Sequence, residues 1–456
     1  MRRAGVAVLC LTQFVDVLGV TSATTAIPAV VDGLGADESA AGPLATTYAM
    51  FFGGLLVVGA RLGDRFGHRR VLAAGLIGFM AVSLVGGLAT SVPQVLAARA
   101  LQGAAAAVSV PSALRLLIHL TPDDRDRRTA LAAWSAAGAA AGAAGFVVGG
   151  VLVGAWGWPA VFWVNAPVGA GLLVALLASV PEAPRERDRV PVDALGAALL
   201  VLAVMLLVAG ASGAERGGAG GAALGLAAGG LVAGVAFAAR MRWAAHPLIP
   251  VAAVRSVNLR HGTVLSFVNT ATTSSAGVLA TLVLQDRLGL SALGAGLTLL
   301  STSLLAIAGS AAARPVLERL SPRRAASAGI ALIALGDLGL VVAGGTAVGI
   351  ACASGVLGFG LGAASVAANH LGTTVPGPIA GSASGVLNTG AQLGTALGTA
   401  AVVMIAALGS PAWGWGTAAV LAAATAVWAA LAGSQAASAN PAPERAGGDA
   451  RAADPA

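Results

Sequence analysis

Ala60-Arg61-Leu62-Gly63-Asp64-Arg65-Phe66-Gly67-His68-Arg69-Arg70 is an island of charge between two long apolar runs, 40–60 and 71–90. Four arginines surround one acid, Asp64. Such a cluster cannot lie in hydrocarbon, so the stretch reads as a loop at a membrane face. The flanking apolar runs then read as helices that enter and leave a bilayer.

Composition agrees over the whole chain. Of 456 residues 57% are apolar and 10% charged, against roughly 25% charged in soluble domains. A soluble protein with so few charges would expose large apolar patches, so the expected fold is an all-α, multi-pass membrane protein. The net charge of +7 comes entirely from arginine, since lysine is absent. Its placement on one membrane face, shown below, argues against a nucleic-acid partner. Cys10 and Cys352 both lie in apolar runs and read as packing residues, not a disulfide framework. Arg2-Arg3 precede an apolar run over 5–31, too long for a signal-peptide core and so read as a retained first helix.

Runs of about 20 apolar residues, enough to cross a bilayer, occur near 5–31, 40–60, 70–90, 93–118, 129–153 and 159–180. Two follow at 194–213 and 220–241. Six more lie near 260–284, 292–313, 324–345, 347–371, 382–408 and 413–433. The expected total is fourteen spans. Arg2, Arg3, Arg61, Arg65, Arg69, Arg70, Arg125, Arg127, Arg128, Arg185, Arg187, Arg189, Arg240, Arg242, Arg255, Arg314, Arg319, Arg323 and Arg324 fall at the terminus or in even-numbered connections. Arg216 and Arg287 fall in odd-numbered ones. By the positive-inside rule both termini are expected in the cytoplasm and the protein in the cell membrane.

A repeat is visible. Asp64-Arg65-x-x-x-Arg69-Arg70 recurs as Glu318-Arg319-x-x-x-Arg323-Arg324, and Trp156-Gly157-Trp158 as Trp413-Gly414-Trp415. Both members of each pair keep their membrane side, which implies parallel halves related by an axis along the membrane normal. The expected organisation is six helices in 1–190, an inserted pair in 191–245, six helices in 246–433, and a disordered cytoplasmic tail in 434–456.

Asp16 lies about 11 residues into the first span, or about 16 Å at the helical rise, near the midplane. Asp337 is similarly central in its span. A carboxyl group at such depth is a candidate proton carrier, with an Arg-paired structural acid as the alternative. Asn388 and Gln392 stand one turn apart, suited to hydrogen-bonding a solute in a central cavity, with interhelical bonding as the alternative.

Several motifs carry a family resemblance. The charged stretch, with Gly63, Asp64, Arg65, Gly67, Arg69 and Arg70, resembles the loop between helices 2 and 3 of the major facilitator superfamily, with Ala60 in place of the family's first glycine. That loop locks and releases the two halves of a transporter during alternating access. Arg99-Ala100-Leu101-Gln102-Gly103 resembles the helix-4 motif, which implies a proton-coupling role for Arg99 and places Gln102 with Asn388 and Gln392 at the substrate cavity. Phe14 to Pro28, the helix-5 glycines Gly145, Gly149 and Gly150, Trp156 to Gly169, and Gly381 to Gly394 are similar to segments of the fourteen-helix drug:proton antiporter branch. Aligned on Pro28, the branch's helix-1 aspartate falls on Gly19, one turn after Asp16. Phe146 stands where the helix-5 motif has proline.

The resemblance implies two pseudo-symmetric bundles in a 6+2+6 arrangement. It implies a proton-coupled secondary transporter exporting a small hydrophobic drug, antibiotic or metabolite, with proton-coupled uptake as the alternative. No cofactor beyond the proton gradient, no metal and a monomer in the lipid bilayer are expected. Non-enzymatic function is expected too. Gly210-Ala211-Ser212-Gly213 fits an intramembrane-protease pattern, but a chain this rich in small residues produces such a match easily. A non-transporting membrane sensor is the remaining class.

The span count is testable directly. An epitope tag at Gly218 should be reached by antibody on intact cells, and one within 185–190 only after permeabilisation. Two tags reporting the same side would remove the inserted pair.

Overall fold

The computed structural model describes residues 2–182, 193–215, 221–244, 247, 255–375 and 377–438. These residues form helices joined by short connections: α1 (Arg2–Gly33), α2 (Ala41–Phe66), α3 (His68–Gly86), α4 (Val92–Leu120), α5 (Asp124–Trp156), α6 (Pro159–Ser179), α7 (Ala194–Glu215) and α8 (Gly221–Trp243). They continue as α9 (Val257–Leu282, prolonged by a π-helical turn Val283–Arg287), α10 (Ala292–Arg319), α11 (Pro322–Ala343), α12 (Ala347–Thr373), α13 (Gly377–Leu408) and α14 (Pro411–Ser438). Among the described residues, 12 helices are long and apolar enough to cross a membrane. The other two are α2, bent by 50° between Ala41–Leu56 and Val58–Phe66, and α7, whose apolar part is the shorter Ala194–Gly210. The chain is a multi-pass membrane protein. Arg185, Arg187, Arg189, Arg216, Gly218 and the tail beyond Ser438 lie outside the described residues.

Two expectations are corrected. Residues 434–438 are the last turn of α14, so the helix passes the boundary placed at 434. The charged stretch is not a loop: α2 runs through Gly63, Asp64 and Arg65 to Phe66, and α3 begins at His68. Gly67 alone makes the turn, with φ of 97°, a left-handed conformation open to glycine at little cost. A single residue of that kind reverses the chain, so the charges sit on two helix ends at the membrane face. Most helices, α3, α6 and α11 excepted, are also longer than the apolar runs, because hydropathy marks only the part inside hydrocarbon while the backbone keeps its hydrogen-bond ladder beyond it.

Packing repeats with the sequence. The pairs α2–α4, α3–α4, α1–α5 and α3–α6 recur as α10–α12, α11–α12, α9–α13 and α11–α14. Each is the same partnership shifted by eight helices. Between the halves, α5 packs on α10 and α2 on α13, an exchange expected of a twofold relation. The helix α7 lies on the second of these seams, where Ala197, Leu200, Val204 and Val208 form one apolar cluster with Ala49 and Met50 of α2 and Ala396 and Ala400 of α13. Asp193 starts α7, accepting from the Gly196 N–H at 3.0 Å and from Arg240 Nε of α8 at 3.2 Å.

The α5–α10 seam is closed near the helix ends remote from the arginine-rich face. A side chain at Gly150 would meet Leu293 Cα at 2.6 Å and the Ala292 carbonyl at 2.7 Å, and one at Gly296 would overlap the Phe146 carbonyl. Gln285 Nε2 donates to the Thr25 carbonyl at 3.2 Å, tying α9 to α1 at the same end. Overpacking such a contact costs about 1–3 kcal/mol. Gly150→Val should therefore loosen this seam. A cysteine at Thr24, with Cys10 and Cys352 changed to serine, should then react about tenfold faster with an impermeant maleimide applied from the remote face. Unchanged labelling would show that this seam does not close the cavity.

Candidate functional site

A cavity of 360 Å³ lies between the two halves. From the first half it is lined by Gln13, Asp16, Val17, Val20, Thr21 and Thr24 of α1, Tyr48 and Phe52 of α2, and Phe146 of α5. From the second half come Thr273 and Ser274 of α9, Thr302 and Ser303 of α10, Ser354 and Leu357 of α12, and Asn388, Gln392, Thr395 and Thr399 of α13. Asp16 is the one charged side chain among these. The second half supplies hydroxyls and amides, and no charge.

Asp16 is held by a residue that the sequence did not single out. Tyr48, the single tyrosine of the chain, donates its hydroxyl to Asp16 Oδ1 at 2.6 Å. Arg99 lies against the same ring, its guanidinium carbon 4.8 Å from the centroid, a cation–π distance. Arg99 is 5% exposed, and its Nη1 donates to Gln102 Oε1 at 3.4 Å. Gln102 Nε2 donates in turn to Ser83 Oγ at 2.8 Å, which also receives Asn165 Nδ2 at 3.4 Å. A polar chain thus runs from the cavity wall through α2 and α4 into the core of the first half. A tyrosine alone in an apolar span was the available signal, because a buried phenolic O–H needs a partner.

The structure separates other expected site residues. Gln102 does not line the cavity; it is buried at 2% exposure behind Arg99. Asn388 and Gln392 do line it. Asp337 is fully buried, and neither of its carboxyl oxygens has a hydrogen-bond partner. It stands beside Gly336, whose missing side chain leaves room for Leu357 of α12, and Leu357 forms the cavity wall. Asp337 therefore lies one helix behind the cavity, away from Asp16 and Arg99.

The helix-5 glycines divide between two tasks. At Gly145 a side chain would collide with Thr21, and at Gly149 with the Ser22 backbone, so both bring α5 against α1 one to two turns beyond Asp16. Gly150 faces α10 of the other half.

In the charged stretch Asp64 Oδ1 pairs with His68 Nε2 at 3.2 Å, across the Gly67 turn. Arg61 and Arg115 lie within electrostatic reach of the same carboxylate. Arg69 Nη2 donates to the Leu177 carbonyl at 2.6 Å, and Arg70 Nε meets Glu182 Oε1 at 3.2 Å, so both arginines anchor α3 to the end of α6. Arg65 lies over the Phe66 ring at 5.3 Å. Gly63 leaves the space that the His68 imidazole fills.

Comparison with known proteins places this architecture. The family model described as Major Facilitator Superfamily matches residues 9–214. The cephamycin export protein CmcT of Amycolatopsis lactamdurans is 35% identical over 419 residues, covering 88% of this chain and 84% of the relative. The tetracenomycin C resistance and export protein of Streptomyces glaucescens is 34% identical over 395 residues, covering 85% and 72%. Two solved structures share the fold. The human organic anion transporter MFSD10 (TETRAN) aligns with a TM-score of 0.63 at 15% identity, over 94% of this chain and 99% of that one. The POT family transporter PepTSo aligns with a TM-score of 0.67 at 14% identity, over 96% and 99%. Two packed half-bundles around a central cavity, and relatives this similar over most of their length, make the chain a non-enzymatic membrane transporter of the major facilitator superfamily.

Proposed function

We propose that the protein is a proton-coupled exporter of a small organic molecule, working by alternating access with its arginine-rich face and both termini in the cytoplasm. The observation that carries this reading is the single acid on the cavity wall, Asp16, held by the Tyr48 hydroxyl beside Arg99. A carboxyl group inside a span and open to a cavity can exchange a proton for a solute contact, and Arg99 is the one buried cation beside it among the described residues. The names of the relatives, which export cephamycin and tetracenomycin C, favour export over uptake. The cavity wall suits a largely apolar framework with hydrogen-bonding groups. Val17, Val20, Phe52 and Phe146 offer apolar surface, while Asn388 and Gln392 offer amides.

Within this reading the spans number fourteen, as six, two and six, and the protein acts as a monomer. The Gly63–Arg70 stretch serves as the cytoplasmic lock, with Asp64 and His68 at its centre. Asp337, behind the cavity wall, has a lesser part in proton coupling than Asp16.

Everted vesicles under an imposed pH gradient, with a panel of dyes and antibiotics added outside, test the proposal. Wild-type vesicles should accumulate at least one panel member and lose it when the gradient is collapsed. Asp16→Asn should abolish that accumulation while solute binding by the purified protein stays within about twofold, since a removed coupling group need not remove uniform binding. Asp337→Asn should act more mildly. Gradient-dependent transport that survives Asp16→Asn unaltered would sink the role of Asp16.

A further inference from the structure

Asp16 and Arg99 are near neighbours that do not touch. No ion pair joins them among the described residues, and the Tyr48 side chain touches both. Its hydroxyl edge donates to the acid and its face carries the guanidinium. A guanidinium that reached the carboxylate directly would form a charge-assisted, bidentate pair in a medium of low dielectric. Such a pair holds the acid ionised and resists both a proton and a solute. One neutral hydrogen bond from a phenol holds it far less firmly.

We propose that Tyr48 is an insulating residue, one that keeps Asp16 and Arg99 from closing into a permanent ion pair and so leaves Asp16 free to be protonated. This rests on the reading of Asp16 as the proton-binding group. Tyr48 is a positioning residue in this role, acting through the acid and the arginine. Its place is fixed from both sides. Gly103, one turn beyond Arg99, leaves the space that the Tyr48 carbonyl occupies, which draws α2 onto α4. Gln102, anchored on Ser83, holds the guanidinium from behind. The remaining helices around Asp16 add no charge. The cavity-lining residues of α5, α9, α10, α12 and α13 include no titratable side chain, and α6 has none along its length.

The test reads Asp16 itself, without transport. Dicyclohexylcarbodiimide couples to protonated carboxyl groups in apolar surroundings, and peptide mapping of the purified full-length protein assigns the adduct to Asp16, with Asp16→Asn as the blank. At one fixed, near-neutral pH, Tyr48→Phe should label at least as much as wild type. It keeps the ring over Arg99 and loses only the donor that favours the carboxylate. Tyr48→Leu should label at least about tenfold less, because Arg99 then reaches the acid. Adding Arg99→Gln to Tyr48→Leu should restore labelling to the wild-type level or above.

A purely structural role would move Tyr48→Phe and Tyr48→Leu in the same direction and would gain nothing from Arg99→Gln. Labelling of Tyr48→Leu at the wild-type level overturns the proposal. So does a loss that Arg99→Gln does not reverse, or a fall in Tyr48→Phe equal to that in Tyr48→Leu. If labelling behaves as expected while vesicles show no gradient-driven transport, the insulating role stands and proton-coupled export falls.

Discussion

Gly103 has no side chain, and the carbonyl of Tyr48 fills the space where one would stand. This backbone contact holds α2 against α4, and the rest of the site depends on it. In lipid, helices gain little from burying apolar surface against each other, since the hydrocarbon is equally apolar. What holds them is close van der Waals contact, which small residues permit. With 64 glycines the chain uses this device throughout. Gly145 and Gly149 set α5 on α1, and Gly309, Gly358 and Gly362 do the same for α10 and α12. The outcome at Gly103 is chemical as well as mechanical. With the two backbones that close, Tyr48 reaches Asp16 with its hydroxyl and Arg99 with its ring face.

The fold was legible in the sequence because two strong constraints speak through local patterns. Apolar runs of bilayer length mark the spans, and arginines mark one face. The repeated Asp/Glu-Arg-x-x-x-Arg-Arg pattern pointed to paired halves, and the pairwise packing recurs with a constant shift of eight helices. The turn at Gly67 was not legible, because a charged cluster says that a stretch leaves hydrocarbon and not how sharply it bends.

The site was legible in part. Asp16, Arg99, Asn388 and Gln392 stood out as polar groups at membrane depth, and three of them line the cavity. Gln102 and Asp337 stood out for the same reason, yet one lies behind Arg99 and the other behind Leu357. Depth along a helix is read from residue number, whereas the direction in which a side chain faces depends on which neighbour each side of the helix meets. The wide apolar surface of a membrane helix hides that second coordinate. Tyr48 and Ser83 were passed over because each is unremarkable alone and gains its meaning from the chain of contacts, while Asn165 stood out only as part of the Trp156–Gly169 segment.

The position of α7 bears on how the molecule can move. It rests on α2 and α13 together, through alanine, valine and leucine side chains, so this one helix touches both halves. When the halves tilt, α7 must slide along at least one of them. A contact made of aliphatic groups, with no hydrogen bond across it among the described residues, offers little friction to such sliding. On the six-two-six reading proposed above, the inserted pair would serve as a greased bearing that leaves the seam free to shear. Its surface, and not only the cavity's, then sets how easily the two halves exchange places, and a bilayer that squeezes α7 more tightly would act as a brake.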